Sequence, residues 1–424
     1  MNAENKQPDD SSREVSFADA LKFWVKLGFI SFGGPAGQIA IMHKELVERR
    51  AWIDEKSFLN ALNFCMLLPG PEAQQLATYM GWRLHRIKGG IAAGAFFVIP
   101  SIFFLLALSF VYARYGNVSE VAAVLDGFKP VVVAIVVEAV IKIGRRSLKT
   151  AMHFMIAVAA FIAVQFFHIP FPLVVAAALL IGLTFGRSDQ PHKNSEVASQ
   201  TKPSRFHILK VAAVCFVIWL APLVASLIAF GRESVATKLY LFFTQAAFVT
   251  FGGAYAVLAY VNQAAVGAGW VTSAQAVDGL ALAETTPGPL IMVLQFIGFM
   301  TGWQNAGGYD QTFYSMICAL LVTFATFLPS FLFIFAAGPY LEKIQANTRL
   351  SGALGFVTAA VVGVILNLSL TFGSAVMLQN SQMNIFAAAL ALAAFVALYF
   401  FKVDVVLVVI AGGVTGLVKY LLFG

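Results

Sequence analysis

Charge is what this 424-residue chain has least of. Asp, Glu, Lys and Arg together make up 12% of it, against roughly 25% in a soluble globular domain, so a large hydrated surface is excluded. Cysteine is scarce as well. Cys65, Cys215 and Cys318 all lie in apolar stretches and form no CxxC pair, which leaves a disulfide framework or a zinc site unsupported. The six histidines show no HExxH spacing and no GxxxxGK[ST] loop is present, so neither metalloprotease chemistry nor ATP hydrolysis by the chain itself is indicated, and no cofactor is expected. The polar start, residues 1–16, lacks the apolar core of a signal peptide and is expected to remain in the cytoplasm. A net charge of +7 requires no nucleic acid, because basic cytoplasmic loops produce it.

What the chain does have is apolar length. Hydrophobic residues make up 59%, and runs such as Ile91–Tyr112 and Ile208–Phe230 exceed the ~20 residues that cross a bilayer. They are continuous rather than alternating, which predicts helices and not a barrel. The expected fold is an all-α polytopic membrane protein with the lipid bilayer as its first partner.

The sequence also repeats itself. SFGG at Ser31–Gly34 matches TFGG at Thr250–Gly253, Trp52 matches Trp270, PGP at Pro69–Pro71 matches PGP at Pro287–Pro289, and Gly81–Trp82 matches Gly302–Trp303, in the same order and at nearly constant offset. Such a series predicts two homologous halves, 17–186 and 233–424, joined by a polar linker at 187–205 and an unpaired apolar helix at 206–230. One extra crossing between halves of even crossing number inverts the second, giving an inverted repeat with about thirteen spans. With the N-terminus inside, seventeen Lys and Arg fall on the cytoplasmic side and eight outside, which favours N-terminus in and C-terminus out. If the first two interrupted segments are re-entrant hairpins, fewer full crossings result and the bias improves.

Each half interrupts its own helices twice. Pro69 and Pro71 cannot continue a helix, and Gly70 between them allows unusual torsions and close approach of a ligand. The helix after such a break starts with unpaired N–H groups and about half a positive charge, an anion site made of backbone. In lipid such breaks are tolerated only where protein or a watery cavity satisfies them. The candidate substrate contacts are therefore Ser31, Phe32, Gly33, Gly34 and Pro35; Pro69, Gly70, Pro71 and Glu72; Thr250, Phe251, Gly252 and Gly253; and Thr285, Thr286, Pro287, Gly288 and Pro289. Lys26, placed deeper than Lys22 on the segment leading into SFGG, is expected to touch the anion. Lys22 and Lys129 are path candidates, with snorkelling the ordinary alternative for Lys22 and pairing with Asp126 for Lys129. Glu284 is a candidate for a coupling proton, since intramembrane acids are functional candidates by default.

FGGP at Phe32–Pro35, LLPGP at Leu67–Pro71, YMGWRLHR at Tyr79–Arg86, FGGAYAVL at Phe251–Leu258 and ETTPGPL at Glu284–Leu290 resemble the chromate ion transporter family in its long, two-domain form. The resemblance implies antiparallel halves in a bacterial inner membrane. It also implies export of chromate driven by membrane potential or a proton gradient, and hence chromate resistance. Ala254 stands where the first half has Pro35, so the two sites need not be equivalent. Sulfate has the same charge and nearly the same shape as chromate, so an oxyanion importer or a passive anion channel stays open, as does a homodimer. A membrane-embedded chromate reductase has no flavin, haem or metal motif behind it.

Overall fold

The computed structural model describes residues 15–186, 206–341, 348–379 and 382–423. The polar linker and nearly all of the polar N-terminus expected from the sequence lie outside these residues. Apart from connecting turns, the described residues are helical except for a ribbon of two two-residue strands, Leu378–Gln379 and Gln382–Met383. The first half contains α1 (Phe17–Ile30), α2 (Gly34–His43), α3 (Glu55–Cys65), α4 (Glu72–Tyr115), α5 (Ser119–Ser147), α6 (Ala151–Phe167) and α7 (Phe171–Phe185). The apolar α8 (His207–Phe230) follows, then α9 (Val235–Val249), α10 (Ala254–Gly267), α11 (Ser273–Glu284), α12 (Val293–Gln304), α13 (Gln311–Ala337), α14 (Thr348–Met377), α15 (Ile385–Tyr399) and α16 (Val405–Phe423). Among the described residues, five segments are long and apolar enough to cross a membrane: 72–115, 207–230, 311–340, 349–377 and 405–423.

Helix starts repeat between the halves because their caps do. Ser16 accepts from Asp19 N at the head of α1, and Ser234 from Thr237 N at the head of α9. Asp54 accepts from Ser57 N before α3, and Thr272 closes a capping box with Gln275 before α11. Such side-chain acceptors satisfy amides that the first turn leaves without partners.

The chain turns back at each interruption. After the break at Ser31–Gly33, α2 and a π-helical turn at Lys44–Arg49 bring the Arg50 guanidinium back along α1, to 5.2 Å from the Phe23 ring at its middle. Burial alone would push the Glu45 carboxyl up here, but hydrogen bonds from Arg49 (2.7 Å) and Arg50 (3.3 Å) outweigh it and leave Glu45 below the ordinary range. α3 runs inward again to PGP, and the first arm of α4 returns, ending with Arg83 3.9 Å from Asp54. α4 then reverses once more. His85 and Arg86 leave helical torsions, Arg86 with φ +53°, and the second arm packs antiparallel on the first. Gly81 and Gly89 face each other so closely that a Cβ on either would overlap the other's carbonyl. The His85 ring holds the corner against Val15 O at 2.7 Å.

The last helices of each half are exchanged. α6 and α7 pack on α14 of the second half, while α15 and α16 pack on α5 of the first, and α5 and α14 also touch. Gly127 of α5 lies against Gly412 and Gly416 of α16 without side chains between the backbones, the small-residue packing that replaces the hydrophobic effect in lipid.

Candidate functional site

The four breaks meet in two pairs, each PGP docking on the other half's FGG break. Gly288 N–H donates to Ser31 O at 2.7 Å, and Gly70 N–H donates to Thr250 O at 3.1 Å. The residues that accept also match: Ser31 Oγ donates to Leu27 O and Thr250 Oγ1 to Ala246 O, each at 2.6 Å. These bonds satisfy backbone groups that proline and glycine release from the helices, as a low-dielectric interior requires. Gly70 (φ +113°) and Gly288 (φ +102°) occupy a region that disfavours side chains, as do Gly33, Gly34, Gly252 and Gly253.

Polar side chains complete the junction. Gln38 Nε2 donates to Gly288 O at 2.5 Å, Gln75 Nε2 donates to Pro69 O at 2.7 Å, and Ser101 Oγ donates to Pro287 O. All three side chains are buried. None of the three is among the candidates read from the sequence, though a Gln or Ser inside an apolar run was the available signal. Glu72, the first residue of α4, turns its carboxylate toward the second half's glycines: Oε1 is 3.9 Å from where a Cβ on Gly253 would sit. Glu284, buried at the end of α11, accepts from Tyr255 Oη at 3.0 Å.

Other expected contacts sit differently. The Thr285 and Thr286 hydroxyls donate to Leu282 O at 2.8 Å and Ala283 O at 2.9 Å, so either must leave its helix before it can donate to an anion. Lys22 is exposed and lies 3.6 Å from Asp19. Lys26 is exposed too, on the α1 face that carries Phe29, rather than deep beside the break as its spacing suggested. Lys129 pairs with Asp126 at 2.7 Å and lies 4.0 Å from Asp278, a buried carboxylate absent from the sequence-based site.

The arrangement thus pairs broken helices from two halves around buried acids and amides. The sequence pattern of the chromate transporter family matches residues 18–183 and 237–417, one stretch in each half. The chain belongs to the chromate transporter family. A chromate transport protein of Pseudomonas aeruginosa is 32% identical over 409 residues, covering 95% of this chain and 92% of its own. A probable chromate transport protein of Synechococcus elongatus is 28% identical over 84% of this chain and 85% of its own. YwrB of Bacillus subtilis, an uncharacterized transporter, is 28% identical over 171 residues, which is 39% of this chain but 86% of its own length. No solved structure matches. Within the chromate transporter family the apolar helices of this chain mark a multi-pass membrane protein.

Proposed function

We propose that the chain is a secondary transporter that exports chromate from the cytoplasm through the junction of its four broken helices. The reciprocal pair of hydrogen bonds, Gly288 N–H to Ser31 O and Gly70 N–H to Thr250 O, carries this reading. Each bond joins a break of one half to a break of the other, and in this reading the helix starts at the two junctions face a single anion. A dianion in low dielectric is very unfavourable without compensation, and converging helix N-termini offer it. With an inside-negative potential, outward movement of a −2 ion is favoured by about 4.6 kcal/mol per 100 mV, twice the per-charge figure, so export needs no ATP.

In this reading the halves are an inverted repeat. Each half contributes two re-entrant hairpins, from the cytoplasmic side in the first half and from the outer side in the second. The matching caps, the exchanged helices and a relative of about half the length support it. Returning the first hairpins to the cytoplasm also moves Lys44, Arg49, Arg50 and Lys56 inward. That leaves Arg114, Arg232, Lys238 and Lys419 outside and strengthens the positive-inside bias. The N-terminus is then cytoplasmic and the C-terminus periplasmic. Lys56 and Ala274, corresponding exposed positions at the starts of α3 and α11, provide the test. After Cys215→Ser, an impermeant maleimide added outside intact cells should label Ala274→Cys and reach Lys56→Cys only after permeabilisation. Labelling of both from one side would end the inverted arrangement.

Flux in proteoliposomes under imposed pH and voltage gradients tests the function. Chromate efflux should rise with an inside-negative potential and exceed sulfate efflux. Net chromate entry under the same gradients would make the chain an importer, and downhill flux at very high rates, insensitive to the pH gradient, would make it a channel.

Lys26 enters this reading as an entry-side cation. Exposed charges contribute about 0.2–1 kcal/mol, so Lys26→Gln should raise the half-saturating chromate concentration in inverted vesicles by up to about fivefold. Lys22→Gln, which removes a cation already beside Asp19, should leave it unchanged. Equal values for Lys26→Gln and wild type would take Lys26 out of the path.

A further inference from the structure

A cavity of about 560 Å³ opens at the far end of the molecule from the α1 and α4 corners, among the start of α5, the start of α15 and the last turns of α16. Its lining includes Asp126, Lys129, Asn384, Lys419 and Tyr420. None of these belongs to the four breaks. In the orientation proposed above, which this inference rests on, the cavity faces the outside.

Its charges are not matched. Lys419 Nζ lies 4.3 Å from the centre of the Phe386 ring, and no carboxylate among the described residues is within ion-pair distance of it. An aromatic face holds a cation without neutralising it. Lys129, with 24% of its side chain exposed, is shared between two carboxylates. Asp126 is in hydrogen-bond contact at 2.7 Å. Asp278, on the buried side, is 4.0 Å away, too far for a hydrogen bond. Tyr112 Oη donates to Asp278 Oδ2 at 2.9 Å, while Oδ1 has no hydrogen-bond partner among the described residues although the side chain is 5% exposed. A buried carboxylate oxygen left in this way is unfavourable, so Asp278 holds Lys129 loosely and from behind. Asp278 is six residues before Glu284 on α11, about 9 Å along the helix at 1.5 Å per residue.

We propose that this cavity is a second, weak binding site for tetrahedral oxyanion dianions on their way out, with Lys129 and Lys419 as its cations and two carboxylates, Asp126 in the lining and Asp278 behind it, as the internal counter-ions that compete with the dianion for Lys129. A dianion between the two lysines supplies the negative charge that Lys419 lacks. Asp278, by drawing Lys129 back, keeps the site weak enough to release. Asn384 adds an amide that can donate to an oxygen.

The experiment is inhibition of efflux from the outer side. Proteoliposomes loaded with radiolabelled chromate, oriented with the cavity outward, receive increasing unlabelled chromate outside, and the half-inhibiting concentration is measured. Lys129→Gln and Lys419→Gln should each raise it by about fivefold, the upper range for a partly exposed charge. Asp278→Asn, which removes one competitor but keeps the shape and the Tyr112 bond, should lower it. The opposite signs are the signature, because a merely structural role would weaken binding in all three. Unchanged values in both lysine variants, or a rise with Asp278→Asn, would overturn the proposal. Lys419 is exposed near the end of α16, so its variant decides the matter if Lys129→Gln does not insert. Absence of chromate flux in the wild type would sink the transport reading instead. Equilibrium binding of chromate to the same detergent-purified variants would then carry the same comparison without flux.

Discussion

Gly288→Ala is expected to reduce chromate transport by about a hundredfold or more while the protein still reaches the membrane. Three effects act at this one residue. Its φ of +102° lies where a side chain is strained, at about 1–3 kcal/mol. A Cβ there would overlap Ser101 Oγ, which is fixed by its bond to Pro287 O. Any shift to relieve that overlap pulls Gly288 N–H away from Ser31 O and Gly288 O away from Gln38. About 2.7 kcal/mol is enough for a factor of a hundred, and strain plus one buried bond reaches it. Gly70→Ala should be milder. The φ there is +113°, but the nearest atoms to a Cβ are the ends of Gln75 at 3.0 Å and Ser330 at 3.1 Å, a far shallower overlap than the one at Gly288. Ser101→Ala added to Gly288→Ala should restore part of the loss. The check is chromate uptake into inverted vesicles, normalised to protein in the membrane. Wild-type uptake by Gly288→Ala would mean that the junction is packing and not the path.

Glu284→Gln should uncouple the transporter. The carboxyl is buried beside the PGP break with Tyr255 as its donor, and glutamine keeps the shape and can still accept that bond. What it loses is the proton. Flux driven by a pH gradient should fall by about a hundredfold, the loss of a ~2.7 kcal/mol step, whereas exchange of chromate for chromate at equal pH should persist. Loss of both would make Glu284 a structural or substrate-contacting group, and retention of both would remove it from coupling. The first half has Met66 where the second has Glu284, and the second has Leu290 where the first has Glu72. The repeat is thus symmetric in backbone and asymmetric in acids, as expected if one element of the pair handles protons.

The breaks could be found in the sequence because proline and glycine act locally: wherever they interrupt an apolar run, the helix ends, whatever surrounds it. The halves could be found because landmark residues recur in order. The turn near His85–Arg86 could be found from charge, because Arg83, Arg86 and Lys88 mark a cytoplasmic segment ahead of the apolar run from Ile91; its sharp form could not. GWRLHRIKGG contains no proline, and the corner depends on Gly81 meeting Gly89 and on His85 reaching Val15. Asp278 escaped notice for a similar reason. In AVDGLALAE it is one acid among small residues, and its meaning comes from Tyr112 and Lys129, more than a hundred residues earlier. Lys26 shows the reverse error. Distance from the polar N-terminus suggested depth, but α1 turns that face outward together with Phe29, and helix rotation is set by packing partners that spacing alone does not identify.

The exchange of terminal helices between the halves constrains how the protein is made. At a ribosome's pace of about 5–20 residues per second, the surface around Gly127 leaves the tunnel and enters the bilayer on the order of tens of seconds before Gly412 and Gly416, which will cover it, exist. During that interval α5 must be shielded by lipid or by the insertion machinery. A nascent chain stalled after the linker therefore presents a half-built docking face. Synthesis of the last forty residues closes the molecule like a clasp, so premature termination near the C-terminus should expose the N-terminal half to membrane proteases.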